Sequence, residues 1–417
     1  MELINEKYSN FINNIERRYN DLFESHDRIA LFNQNKVLEA MKKNKLAEPH
    51  FKESTGYGYD DSGRDVVARI FADTFDAEAA IVRPQIVSGT HAITLCLFGI
   101  LRPGDNFVSV TGKPYDTIYS SIGNEEDDSD KGSLTDFDIE YREVDISNNL
   151  NLCYDALKNV IDPKTKLIYI QRSTGYSMRP ALTIDKISKI VKIVRSIKKD
   201  VVILTDNCYG EFIEIKEPCS VGVDLIAGSL IKNPGGGLAL TGGYVAGKKE
   251  YVDKVMCRLT TPSLGDEVGA NLGTIRSYLQ GFFIAPSVTN YAVKGAILTS
   301  AVMSEVGFDV FPGVLDERSD IIQAIVLNSR KNIISYCKGI QSSSPVDSYV
   351  DPVPWDMPGY ESEVIMAAGN FVQGSSIELS ADSPMLPPYI VYQQGGLTYE
   401  HIKIALSNVL KELKINI

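Results

Sequence analysis

A single lysine, Lys232, stands between the apolar approach DLIAGSLI and the glycines Gly235, Gly236 and Gly237, and about one strand earlier the apolar run VVILT ends on Asp206. A lysine in apolar surroundings is desolvated more easily than a surface one, which favours the neutral amine that forms imines. A carboxylate at the end of a buried strand is costly unless something meets its charge. The two residues together fit pyridoxal phosphate, whose aldehyde needs a lysine to hold it as a Schiff base and whose ring nitrogen needs a carboxylate to keep it protonated. Each also fits a plainer role: a surface lysine in a turn, and an aspartate capping a helix or turn.

The phosphate of such a cofactor needs backbone N–H groups at a helix start. VSGTHAITLCLFGIL offers them, with Ser88 and Gly89 making the turn and Gly89 and Thr90 lending amides as the helix begins. The same residues fit an ordinary N-cap. Arg172, at the end of KLIYIQRS, is expected at the same rim, where a guanidinium can clamp a substrate carboxylate with two parallel bonds. His91 reads as a packed helix residue rather than a base.

Long stretches of the chain, among them TDNCYGEF, AGSLIKNPGGGLALTGGYVAG, VRPQIVSGTHAI and GKPYDT, resemble a group of bacterial fold-type-I pyridoxal phosphate enzymes. The group is described as cystathionine lyase-like and sometimes as aluminium-resistance proteins, and the resemblance runs from about Gly56 to His401. It implies further roles. Tyr209 would bond the cofactor's 3-hydroxyl, or is a packed aromatic. Ser229 would bind phosphate, and Tyr115 would stack on the ring and assist the departing group. TGYGYDDSGRD matches a segment whose tyrosine and arginine reach the phosphate of a neighbouring subunit, so Tyr57, Tyr59 and Arg64 are the candidates and the sites are shared in a homodimer or homotetramer.

Two departures stand out. Ile231 occupies the position before the lysine where relatives often have Ser or Thr. IELSADSPMLPPYIVYQQGGLTYEH lacks the arginine that usually binds the α-carboxylate, so Arg172, Arg318 or Arg330 must substitute, or the substrate differs. The implied activity is a carbon–sulfur lyase, eliminating at the β or γ carbon of a cystathionine-like or other sulfur amino acid. An aminotransferase, an aldolase or a non-catalytic relative keeping the fold are the alternatives, because the cofactor carries the hard chemistry in each enzyme case.

Such residues need a scaffold that delivers strand ends to one place. RDVVARIFADTF, THAITLCLFGIL and IDKISKIVKIVRSIKK read as helices, and AAIVRPQIVS, NFVSVTG, KLIYIQRS, VVILTDN and DLIAGSLI read as strands between them. That alternation predicts an α/β fold, a mostly parallel sheet with helices on both faces and ligands at the strands' carboxyl ends, plus a smaller α+β C-terminal domain. Residues 1–55 read as a helical segment packing with the small domain, 56–300 as the large cofactor-binding domain and 301–417 as the small one. A chain of 417 residues exceeds one ordinary core.

A net charge of −12 argues against nucleic acid as a partner, since phosphate binding needs clustered Lys and Arg. The N-terminus is charged and amphipathic, with no apolar run of signal-peptide or membrane-span length, so a cytoplasmic protein with no membrane partner is expected. Six scattered cysteines without a CxxC pair and four histidines indicate neither a disulfide framework nor a metal site. The acidic run Glu125 to Lys131 reads as a solvated loop.

Overall fold

The computed structural model describes residues 6–123, 131–148, 153–356 and 362–417. The acids Glu125 to Asp130 lie outside them.

The main sheet has seven strands: β1 (Ala79–Arg83), β2 (Asn106–Ser109), β3 (Glu140–Glu143), β4 (Thr165–Gln171), β5 (Val202–Asp206), β6 (Leu225–Ser229) and β7 (Gly243–Gly247). Their order is β1-β7-β6-β5-β4-β2-β3. Neighbours from β3 to β6 run parallel, and β7 alone is reversed, antiparallel to both β6 and β1. Every residue of β5 and β6 is buried, which is why these strands read as unbroken apolar runs rather than alternating ones. Successive side chains feed opposite cores. Ile203 and Ile226 pack with Val66, Ile70, Ile187 and Ile190 on one face, while Leu204 and Leu225 pack with Ile93, Leu97 and Val252 on the other.

A second sheet, wholly antiparallel, contains β8 (Asp309–Phe311), β9 (Ile322–Val326), β10 (Val364–Ala367), β11 (Ser380–Pro384) and β12 (Ile390–Gln394) in the order β10-β11-β12-β9-β8. Helices Arg330–Gln341 and Tyr399–Glu412 share its core with Ile12, Ile15 and Phe23 from the two N-terminal helices.

The 31-residue helix Ile275–Glu305 belongs to both cores. Ile275, Tyr278 and Phe282 sit in the first and Val288, Ala292 and Val302 in the second. The chain therefore crosses residue 300 inside a continuous helix. Among the described residues no helix is long and apolar enough to cross a membrane.

Candidate active site

Asp206 is the last residue of β5 and Ser229 the last of β6, and the helix Gly89–Ile100 starts beside them. Gly89 sets how closely. A Cβ there would lie 3.1 Å from Cys208 Sγ and 3.4 Å from Ser229 Cβ, so a helix start and two strand ends meet at one point. Ser88 caps the helix, its Oγ accepting from the His91 N–H at 3.1 Å. The first amides of a helix have no partner within it, so Gly89 and Thr90 face this point with donors to spare for an anion. His91 accepts from the Val87 N–H through Nδ1.

Lys232 lies three residues beyond Ser229 in a turn that the long helix holds in place. A Cβ on Gly235 would collide with the Leu230 carbonyl, and one on Gly281 with the Gly235 carbonyl, so turn and helix touch backbone to backbone. Asn233 clamps the other side, its Nδ2 donating to the Tyr209 and Glu211 carbonyls at 3.0 and 3.1 Å. Lys232 Nζ then stands 2.5 Å from the Tyr209 hydroxyl and 3.8 Å from the centre of its ring. The Tyr209 hydroxyl donates onward to Ser376 Oγ at 2.8 Å.

The apolar setting of Lys232 does not yield the neutral amine expected from sequence. Burial pulls its pKa down, but Tyr209, Cys208 and Asp206 outweigh burial and hold the amine above the ordinary lysine value. Asp206 Oδ1 accepts from the Cys208 N–H at 3.1 Å and Oδ2 from the Tyr169 hydroxyl at 3.2 Å. Burial pushes its carboxyl up against these bonds and the Lys232 charge. A buried acid whose hydrogen bonds come from neutral donors has capacity for a cationic N–H.

Tyr115 opens the helix Asp116–Ile122, its N–H donating to Gln171 Oε1 at 2.9 Å. Its ring is 5.9 Å from that of Tyr176, which is 5.2 Å from that of Tyr392 on β12. An aromatic row thus runs from the rim of the main sheet to the second sheet.

Arg172 is a correction. Side chains alternate across a strand, so where Gln171 turns toward Tyr115, Arg172 turns the other way. It is fully buried, bonding Asn207 Oδ1 at 2.8 Å, Glu214 at 3.1 Å, Glu217 at 3.3 Å and Ser319 Oγ at 3.1 Å. A guanidinium committed on every nitrogen does not bind substrate. Arg330 forms an exposed ion pair with Glu363 at 2.8 Å. Arg318 donates to Gln323 at 2.7 Å, on the opposite face of β9 from Ile322 and Ala324, which pack with Tyr176 and Tyr209.

Tyr57 and Tyr59 are 68% and 59% exposed, with rings 5.5 Å apart. Gly58 between them leaves room for the Ala270 backbone, which a Cβ would approach to 2.7 Å. Arg64 is buried beneath, donating to the Gly58 carbonyl at 2.8 Å and the Gly269 carbonyl at 3.3 Å. The arginine therefore pins this turn within its own chain, and the tyrosines are largely exposed to solvent.

Sequence reasoning missed the contribution of the second sheet: Tyr392, Gln394 and Asp382, with Tyr176 between the sheets. The alternation in IVYQQ places Tyr392 and Gln394 on one face, but no motif marks Asp382. Among the described residues no cluster of His, Cys, Asp and Glu is placed to hold a metal.

The fold is that of the fold-type-I pyridoxal phosphate-dependent enzymes. The profile of the methionine gamma-lyase family matches residues 8–414, and the chain belongs to that family. A Bacillus subtilis protein, YnbB, itself uncharacterized, is 49% identical over 387 residues, 93% of this chain and 92% of that one. The structure of a carbon–sulfur lyase involved in aluminium resistance from Clostridium novyi is 48% identical, with a TM-score of 0.92 over 98% of this chain and 96% of its own. A pyridoxal-5'-phosphate dependent protein from Escherichia coli, 15% identical with a TM-score of 0.63 over 92% of this chain and 96% of its own, shares the fold alone.

Proposed function

We propose that the protein is a pyridoxal phosphate-dependent carbon–sulfur lyase that cleaves a sulfur amino acid by β- or γ-elimination, with Lys232 as its cofactor lysine. The reading is carried by one observation: the Lys232 amine, the Tyr209 hydroxyl and the Asp206 carboxylate converge beside a helix start whose glycine abuts Ser229. Pyridoxal phosphate, when bound, supplies an aldehyde for the lysine and a ring that withdraws electrons from the substrate's α carbon.

The chain's own residues do the rest. The Gly89 and Thr90 amides and the Ser229 hydroxyl would hold the phosphate. Asp206 would accept from the ring N–H, an ionic contact that offsets the cost of burying its charge. Tyr115 would flank the ring. Lys232 is protonated in the free protein, and Tyr209, within hydrogen-bond reach, is placed to share that proton as the amine alternates between donor and acceptor. The second sheet and its tyrosines cover the far side and exclude water. The exposed Tyr57 and Tyr59 support a homo-oligomer in which they complete a neighbour's phosphate site.

Borohydride reduction of the purified protein followed by peptide mapping tests the reading. A pyridoxyl label is expected on Lys232, together with release of a thiol and a keto acid from a sulfur amino acid. A label on another lysine, or amino-group transfer without thiol release, would overturn it.

A further inference from the structure

The second sheet turns one face toward the tyrosines of the site, and strand register fixes who stands there. Asp382 is paired with Tyr392, and Tyr392 with Ala324. Residues directly opposite each other share a face, and Gln394 and Ile322 join them at two-residue steps. Ile322, Ala324 and Tyr392 pack with Tyr176 and Tyr209, and Tyr209 bonds Lys232. Asp382 thus shares the compartment of the Lys232 amine, whose charge acts on it.

Asp382 is a buried acid with unmet capacity. It is 7% exposed. Oδ2 accepts from Gln394 Nε2 at 3.0 Å, the Tyr176 hydroxyl approaches the carboxylate, and Oδ1 is buried with no hydrogen-bond partner. No lysine or arginine lies on the site-facing positions of these five strands. Burial pushes the carboxyl up to about 6, with Tyr176, Gln394 and Lys232 holding it back. An ionised oxygen left without a donor is expensive, and a cation is the group that relieves it best.

We propose that Asp382 is a specificity-determining residue that accepts the distal ammonium of a diamino-acid thioether of the cystathionine kind. This rests on the lyase reading above. The row Tyr115, Tyr176 and Tyr392 supplies the apolar wall along which the carbon–sulfur chain lies, and Asp382 stands where that row meets the second sheet. Neutral thioethers such as methionine leave its Oδ1 unmet, so the site discriminates against them by what they lack.

The test uses the holoenzyme and two substrates that differ only in the distal ammonium: L-cystathionine against S-(3-carboxypropyl)-L-cysteine if cystathionine releases homocysteine by β-elimination, or against S-(2-carboxyethyl)-L-homocysteine if it releases cysteine by γ-elimination. The wild type is expected to favour cystathionine in kcat/KM by at least about tenfold, the scale of one charged hydrogen bond. Asp382→Asn should level the two while keeping the visible cofactor band. Equal wild-type rates on the two substrates overturn the proposal whatever the variant does. Equal slowing of both substrates by Asp382→Asn also overturns it, since that marks a structural role. In both cases the band and thiol release leave the lyase reading standing. A wild type with no cofactor band, or no thiol release from either substrate, overturns both.

Discussion

Lys232 and Glu211 show how burial and neighbours decide protonation at single residues. Lys232 is held charged because acidic and hydroxyl groups crowd it despite its burial. Glu211, two residues beyond Tyr209, goes the other way: burial pushes its carboxyl up to about 8, although Oε1 accepts from the Tyr244 hydroxyl at 2.7 Å. Its Oε2 is buried without a hydrogen-bond partner. The folded-state value of this acid is raised, so its effect on stability has a definite sign. From about pH 4.5 to about 8 the unfolded chain releases the Glu211 proton while the folded chain keeps it, and stability falls through that window. The loss is on the order of 5 kcal/mol at most. Glu211→Gln should flatten the decline of Tm over this range and match the wild type near pH 4. An unchanged slope between pH 5 and 8 would show that Glu211 is ionised in the fold.

At the level of elements, the position of Lys232 depends on the long helix Ile275–Glu305 meeting the glycine turn without side chains between them. Helix propensity alone makes Gly281→Ala stabilising, by about 1 kcal/mol. The contact makes the opposite prediction, because the new methyl would drive into the Gly235 carbonyl. We expect a net loss of about 1 to 3 kcal/mol in denaturant unfolding and weaker cofactor retention, the scale of an overpacked contact. A stabilised variant that keeps its cofactor would show that turn and helix are not in register.

This contact also marks where the sequence stops being legible. The buried parallel strands announce themselves as short apolar runs, and Asp206 and Lys232 follow from them. The helix is harder to read, because Pro286 inside it imitates a break and its apolar residues serve two cores. β7 is Gly243–Gly247, rich in glycine, and nothing local shows that it runs backwards. Arg172 differs from Gln171 by one residue of strand parity, which sends its side chain to the opposite face. Asp382 owes its meaning to pairing with Tyr392, a contact that no local pattern encodes.

At the scale of the molecule, Tyr57 and Tyr59 are large, exposed and held out on a turn that Arg64 anchors from within. An exposed aromatic pair on an anchored turn, its rings 5.5 Å apart, is the shape expected of a residue pair that completes a second subunit. If they serve a neighbour's phosphate, the double substitution Tyr57→Ala, Tyr59→Ala damages the site of the partner and leaves its own chain's Lys232 intact. Lys232→Ala damages only its own site. Each variant alone should then be inactive or nearly so, and a mixture should regain activity as subunits exchange. In a hybrid dimer, one site carries both defects and the other carries neither, so random exchange restores about a quarter of the wild-type rate per site, from symmetry alone. Recovery should follow the kinetics of exchange, read in parallel by fluorescence transfer between labelled subunits. Confirmed exchange with no return of activity, or a wild type fully active as a monomer, would assign the tyrosines to some other surface role.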